Sequence, residues 1–336
     1  LSQKITTKIK ISDYLIYVLL ATVCDVMPIR KLNRLIALTA LKNFDLKKNL
    51  AFNEILNLSN KKNKLNINDL GYLVGPILNA GGRLGKSDYA SELLSSDCLK
   101  NIITKSKELI KLNEKRKIVE ALIINEIDFK KIENENKKII IYYKPNINEG
   151  LIGIIASRLK DYFNKPSIVI TKSNELLKGS ARSVGSYNIG NAIKKSLNNN
   201  IIISGGGHNM AAGFTLQKNN LNDFEKFIFK DFTLNDITKS NIFTYDYEVS
   251  SSAINHDFYD DIKKLEPFGV GNPLPTFLLR DLKVIKTTIL NKKHISVILK
   301  SSIGITIKSI SFDSVNNKIG EYLLNYKNTF NVLGQI

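Results

Sequence analysis

Residues Ser204 to Gly213 read S-G-G-G-H-N-M-A-A-G. Three consecutive glycines, Gly205, Gly206 and Gly207, leave the backbone bare, and the imidazole of His208 follows at once. Such a stretch lets backbone N–H groups approach an anion closely, with one side chain poised above it. A tight turn with positive φ ahead of a closely packed element is the competing reading. Upstream, Gly179-Ser180-Ala181-Arg182-Ser183 ends an apolar run on two hydroxyls and a guanidinium, donors suited to phosphate oxygens. Asn79 and Arg83 are the strongly polar side chains in the glycine-dense stretch 71–85, G-Y-L-V-G-P-I-L-N-A-G-G-R-L-G. They lie four apart, so one helical turn puts both on one face. Arg83 could fork a phosphate, or be a surface arginine on a capping loop. Asp25 sits in A-T-V-C-D-V-M-P, a carboxylate among apolar neighbours. Burying it unpaired is costly, so a cation, a metal or a donor is expected beside it, unless it N-caps the next segment.

The pattern around these residues says what must hold them. Ser12 to Phe44 is mostly helical with a break at Pro28, and Asn60 to Asn68 is a polar loop. Leu99 to about Glu135 carries one long helical pattern without Pro or Gly, the length of a connector. The period then shortens. Ile139 to Tyr143, Pro166 to Thr171 and Leu177 to Ser183 read as strands, with helices over Asn148 to Leu159 and Ile189 to Leu197. Ile201 to Ile203 runs into a glycine loop, followed by a strand at Phe214 to Leu216 and a helix from Leu221 to Phe232. This alternation predicts an α/β domain whose polar donors collect at strand ends, where open α/β sheets place ligands. From Asn241 the chain turns β-rich. A strand over Phe243 to Val249 and a helix over Phe258 to Leu265 lead to the turn-rich Glu266-Pro267-Phe268-Gly269-Val270-Gly271-Asn272-Pro273. Strands are expected at Thr276 to Leu279, Leu282 to Ile289, His294 to Leu299 and Ile305 to Phe312, as in a small antiparallel barrel.

Composition narrows the class. The 336 residues carry 49 Lys and Arg against 31 Asp and Glu, a net charge of +18, which favours a polyanionic partner. Lys, Asn and Ile dominate everywhere, as AT-rich coding would also produce. Two cysteines without a CxxC argue against a zinc ribbon or a disulfide framework and fit a reducing cytoplasm. No run of eighteen apolar residues suggests a membrane span. Trp is absent, so base stacking would use Tyr, Phe or Arg. Both ends read as cut, so a piece of a longer protein is expected.

These motifs resemble the RecJ-type exonucleases of the DHH phosphoesterase superfamily. A-T-V-C-D25-V-M-P with N33-R34 is similar to the last metal-ligand motif of a DHH domain, and N79-A-G-G-R83-L to its asparagine–arginine motif. G-S180-A-R182-S183 with G-G-G-H208-N-M-A-A-G resembles the substrate-binding DHHA1 domain, and E266-P-F-G-V-G-N272-P the opening of a RecJ-type OB fold. The resemblance implies the end of a DHH domain over residues 1–98, a connector helix over 99–136, a DHHA1 domain over 137–235 and an incomplete OB-fold domain over 241–336. It implies a metal-dependent 5'-3' exonuclease on single-stranded DNA, working in DNA repair and recombination with two Mn²⁺ or Mg²⁺ ions. Asp25 would be a metal ligand, and Asn79 and Arg83 would steady the reacting phosphate. Ser180, Arg182, Ser183, Gly205, Gly206, Gly207 and His208 would grip the strand. A monomer is implied, with a helicase or a single-strand-binding protein as partner. The family's upstream aspartate and Asp-His-His motifs are missing from this sequence, so the chain alone is expected to be inert. Ile147 and Asn148 stand where the family often has an aromatic residue and a histidine, which puts one substrate contact in doubt. The rivals are a DHH phosphodiesterase for short oligonucleotides or cyclic dinucleotides, a non-catalytic single-strand-binding relative, and a DHHA1 appendage of a tRNA synthetase.

Overall fold

The computed structural model describes residues 10–61, 64–185, 187–235, 243–325 and 328–336. The expected opening of the β-rich region at Asn241, and Lys62 and Asn63 of the polar stretch, lie outside those residues. The first part of the chain is helical: α1 (Ile11–Cys24), α2 (Lys31–Asn43), α3 (Leu50–Leu58), α4 (Ile67–Asp69), α5 (Gly75–Arg83), α6 (Tyr89–Ser95), α7 (Leu99–Asn125) and α8 (Phe129–Asn134). Strands and helices then alternate as β1 (Ile140–Tyr143), α9 (Ile152–Phe163), β2 (Ser167–Ser173), β3 (Leu176–Arg182), α10 (Ile189–Asn198), β4 (Ser204–His208), β5 (Ala211–Gln217) and α11 (Leu221–Asn235). Next come β6 (Tyr247–Glu248), α12 (His256–Lys263), β7 (Phe277–Leu290), β8 (His294–Ser301), β9 (Thr306–Ser311), α13 (Lys318–Asn325) and β10 (Phe330–Gly334). The chain divides into two compact units, one of Leu1–Phe44 with Asn241–Ile336 and one of Asp45–Ser240.

In the second unit, two expectations from the sequence change. The stretch expected as loop over Asn60 to Asn68 already starts a helix. The Asp69 N–H donates to Asn66 Oδ1 at 2.9 Å and the Asn66 N–H to Asp69 Oδ2 at 3.0 Å, a reciprocal cap. The long helix ends at Asn125 instead of running to Glu135, and Asp128 accepts from the Lys131 N–H to begin α8. Ile127 stays buried through the break, so the apolar pattern runs on without marking it.

The sheet of this unit has the order β1-β2-β3-β5-β4. β1 and β2 are parallel, with α9 between them in sequence, and the other pairs are antiparallel. The glycine run expected as a loop is therefore the edge strand β4, joined to β5 by the turn at Asn209 and Met210. Side chains alternate between two covered faces. Ile168, Ile170, Leu177, Ala181, Phe214 and Leu216 pack with α10 and α11, while Ile140 and Val169 pack with α9. On the α10–α11 side the Tyr187 hydroxyl donates to Asp231 at 3.0 Å, and Lys195 pairs with the same carboxylate at 2.7 Å. Burial and the Asp231 charge push the Tyr187 phenol well up, so it stays a donor.

In the first unit the α1–α2 hairpin is fastened to the turn before β7. Arg34 donates through Nη2 to the Leu265 and Glu266 carbonyls, both at 2.8 Å, and through Nη1 to Pro267 O at 3.5 Å. Asn272 Nδ2 donates to Leu265 O and Pro267 O from within the turn. The Ile29 N–H donates to Val270 O at 2.6 Å, and Arg30 Nε to Gly271 O. A Cβ on Gly269 would stand 2.8 Å from Ile29 Cγ1, so the two segments touch backbone to side chain. Beyond the turn the sheet runs β10-β7-β8-β9, with β6 beside β7. The strands expected at Thr276 to Leu279 and Leu282 to Ile289 are one, β7, bent where Asp281 takes φ 54° and where the register shifts between Val284 and Lys286. Leu279, Leu282, Ile295, Val297 and Leu299 form its core, and all of these but Ile295 line a groove of about 1000 Å³.

Candidate functional site

Cross-strand register brings the expected phosphate ligands into two rows. Arg182, Ala211 and His208 are direct neighbours across β3, β5 and β4, and Ser180, Gly213 and Gly206 form the next row. At a strand spacing of about 4.8 Å, Arg182 and His208 stand about 10 Å apart along their row. All six lie on the α9 face. There α9 packs on β2 and β3 and leaves β5 and β4 uncovered, with Ser204, Gly206, His208 and Gly213 exposed. The residues thus gather, as expected, where β3 and β4 end and β5 begins, and they share one sheet face; β3, β5 and β4 form an antiparallel set, so this is not the crevice of a parallel sheet.

The glycines of this patch have separate causes. None of Gly205, Gly206 or Gly207 takes left-handed backbone among the described residues, so the tight-turn reading does not apply. Gly205 faces α10, where a Cβ would stand 2.8 Å from Ile193 Cγ2 and 2.9 Å from Phe214 Cβ. Gly206 has nothing within 4 Å of that position, and its cross-strand partner Gly213 has only the Gly179 carbonyl oxygen at 3.9 Å. No neighbour excludes a side chain at either position. Together they make a bare floor open to an incoming group. β4 is an edge strand, so alternate N–H groups point away from β5 beside that floor.

Cations stand on its β3 and α9 side. Arg182 Nη1 donates to Ser180 Oγ at 3.0 Å and to Ala181 O at 2.8 Å. A Cβ on Gly153 would stand 2.9 Å from Arg182 Nη2, so glycine in the first turn of α9 admits the guanidinium over the positive end of that helix. Arg83 Nη1 reaches Gly150 O, just ahead of α9, at 3.3 Å. Burial holds both guanidiniums below the usual arginine range, and for Arg83 the charges of Arg116 and Arg182 add to it, against an opposing effect of Glu120. Both remain cations at any physiological pH. Among the described residues neither is ion-paired with a carboxylate. His208 Nδ1 accepts from the Met210 N–H at 3.3 Å, which leaves Nε2 as the donor of the neutral ring.

Other expected site residues are placed differently. Ser183 is fully buried, and its hydroxyl donates to Tyr187 O at 2.6 Å, so it closes the turn behind the sheet instead of facing the patch. Gly205 projects toward α10, and a Cβ on Gly207 would run into Ala211 O and Ala212 of β5, so neither adds to the floor. Asn79 is exposed on α5, one turn before Arg83. Asn148 shapes the turn before α9, its Oδ1 accepting from the Gly150 N–H at 2.8 Å, while Ile147 is buried. Asp25, expected among apolar neighbours, is exposed at the C-cap of α1 in the other unit, followed by Val26 at φ 57°. It caps the end of one helix and not the start of the next. Among the described residues no three His, Cys, Asp or Glu side chains converge, so this chain's residues do not by themselves fit a two-metal centre. Gly153, Arg116 and Glu120 had no place in the sequence reading. Their signal is the four-residue spacing of Arg116 and Glu120 on α7, which is indistinguishable from an ordinary solvated pair until the burial is seen.

Known proteins resemble this chain over most of its length. A model described as the DHHA1 domain matches residues 136–233, and one described as the RecJ OB domain matches residues 245–336. The single-stranded-DNA-specific exonuclease RecJ of Haemophilus influenzae is 29% identical over 332 residues, covering 93% of this chain and 57% of that protein. Its namesake in Escherichia coli is 30% identical over 230 residues, covering 64% of this chain and 39% of that protein. The chain thus spans about half the length of these curated relatives. The crystal structure of RecJ in complex with Mg²⁺ from Thermus thermophilus has the same fold, with a TM-score of 0.81 at 20% identity, over 97% of this chain and 49% of that one. The chain thus carries a DHHA1 domain followed by a RecJ OB domain and is similar to RecJ exonucleases over most of its length.

Proposed function

We propose that the protein to which this chain belongs is a metal-dependent 5'-3' exonuclease of single-stranded DNA, and that residues 136–233 hold the strand by its phosphate. The observation that carries this reading is the bare Gly206–Gly213 floor in the row beside Arg182 and His208. A phosphate resting there meets the Arg182 fork on one side and the His208 Nε2–H on the other, with Ser180 Oγ beside it. The net charge of +18 draws a polyanion toward the surface. Substrate is bound and oriented by these residues. The divalent ion that would supply the hydrolytic chemistry, Mn²⁺ or Mg²⁺, needs ligands beyond Asp25. The chain alone is therefore expected to bind single-stranded DNA and leave it intact when Mn²⁺ is added. Shortened oligonucleotide on a denaturing gel would refute that part.

Binding is tested with a fluorescent 5'-phosphorylated thymidylate oligomer. Arg182→Ala removes a charge-assisted contact and should weaken affinity about tenfold to a hundredfold. His208→Ala should weaken it less, by about fivefold, because a neutral donor is lost. Unchanged anisotropy curves for both variants would remove the role given to this face.

A further inference from the structure

A second cluster of charges lies behind Arg83, on α7 and α9. Glu120 is a buried carboxylate, 6% exposed, and it accepts from Arg116 Nη1 at 2.8 Å and from Arg158 Nε at 2.7 Å. Arg116 Nε donates to Asn113 Oδ1 at 3.1 Å, one helical turn earlier on α7, and Asn113 is itself buried. Two acceptors on α7 therefore fix the Arg116 guanidinium, and Arg158 on α9 fixes one of them, Glu120. Its Nη2 has no hydrogen-bond partner among the described residues, yet it is not sealed off, since Ser106 Oγ is the buried side-chain polar atom left without one there. Arg83 and Arg182 both reach the start of α9, at Gly150 and Gly153, and the Glu120–Arg158 bond ties the Arg116 stretch of α7 to the same helix. Arg116 and Arg182 both act on the charge of Arg83, while Glu120 supplies one negative charge and shares it with Arg158. Like charges gathered this way repel, and a cluster short of carboxylates is a place for an anion.

We propose that Arg116 is a further phosphate-binding side chain of the DNA-gripping site, and that Glu120 and Asn113 are positioning residues that hold its free Nη2 toward the phosphate. This rests on the reading of the Arg182–His208 face as a strand-binding site and extends it along the backbone by another phosphate.

Glu120→Gln separates positioning from simple charge by the sign of its effect. If Glu120 acts only as a negative charge, removing it makes the site more cationic and DNA binds more tightly. If it positions Arg116, a neutral amide holds the guanidinium less firmly and binding weakens, by about threefold to tenfold. Arg116→Gln should weaken binding of the thymidylate oligomer about tenfold and reduce the slope of log affinity against log salt by about 0.7, the value for one lost single-strand phosphate contact. Arg116→Lys keeps the charge and cannot reach Asn113, Glu120 and a phosphate together, so it should fall with the Gln variant rather than with wild type. If Glu120→Gln does not fold by circular dichroism, the Arg116→Lys and Arg116→Gln pair decides the matter alone. Tighter or equal binding by Glu120→Gln, or a wild-type salt slope in Arg116→Gln, overturns the proposal. Arg182→Ala run alongside tells the two failures apart. If that variant loses affinity while the Arg116 variants do not, this inference alone is wrong. If none loses affinity, the strand-binding site itself is misassigned.

Discussion

Gly206→Val is expected to abolish single-strand binding, about a hundredfold or roughly 2.7 kcal/mol, with no loss of folding stability. The position is open, with nothing within 4 Å of a Cβ, so the folded chain has room for the side chain. A β-branched residue also suits an extended edge strand better than glycine does. What it takes away is the floor, since two methyl groups would occupy the space where a phosphate meets Arg182 and His208. Gly205→Val one residue earlier should do the reverse. Its side chain would be forced into Ile193, Ile202 and Phe214, at a cost of about 1–3 kcal/mol, with only a secondary effect on binding. Thermal melts and anisotropy titrations of the two variants check the pair. A Gly206→Val protein that binds normally would falsify the floor, and a matching loss of stability in both would reduce the glycine run to packing.

That contrast also marks how far the sequence could be read. Residue types pointed to the right stretch, since a glycine run next to a histidine has few uses, and the resemblance named the matching domain. The conformation was misjudged. Three glycines read as a loop because glycine is a poor strand former by itself, yet here pairing with β5 on one side and contact with α10 on the other hold them extended. Ser183 shows the same limit. One residue after Arg182 it has the right chemistry, but strand alternation carries it behind the sheet, and no local pattern gives the phase. Arg116 and Glu120 were invisible for a different reason. A Glu four residues after an Arg on a charged helix is ordinary, and only the arrival of Arg158 and burial to 6% make it a fixed hub. For Asp25 the apolar neighbours in sequence suggested burial, but the helix ends there and the side chain faces out.

The second large effect is expected from Arg34→Ala. Arg34 binds three successive carbonyls of the turn before β7, and two of these are also held by Asn272. Removing the guanidinium leaves Glu266 O with no partner from α2 and loosens the hairpin from the turn, which Ile29 and Arg30 then hold alone. The cost should be about 3 kcal/mol, for the loss of two charge-assisted hydrogen bonds. Arg34→Lys should recover less than half, because one ammonium cannot span the carbonyls that the planar fork reaches. Hydrogen exchange read by mass spectrometry gives the location as well as the size. Peptides covering residues 26–34 and 264–273 should lose protection while those covering β1 to β5 keep it. Equal loss in both units would mean that Arg34 supports something other than this joint.

The same joint has a consequence during synthesis. Arg34 and its carbonyl partners are separated by 231 residues. At roughly 5–20 residues per second, the hairpin leaves the ribosome about ten to fifty seconds before its seat exists. Through that interval Leu32, Leu35, Tyr14 and Val18, exposed even in the finished unit, wait without the turn that will hold their hairpin. The intervening unit, whose own contacts do not involve either half of the joint, can finish first. Along residues 11–336 assembly therefore runs from the middle outward, and the α1–α2 hairpin is among the last parts to find its place.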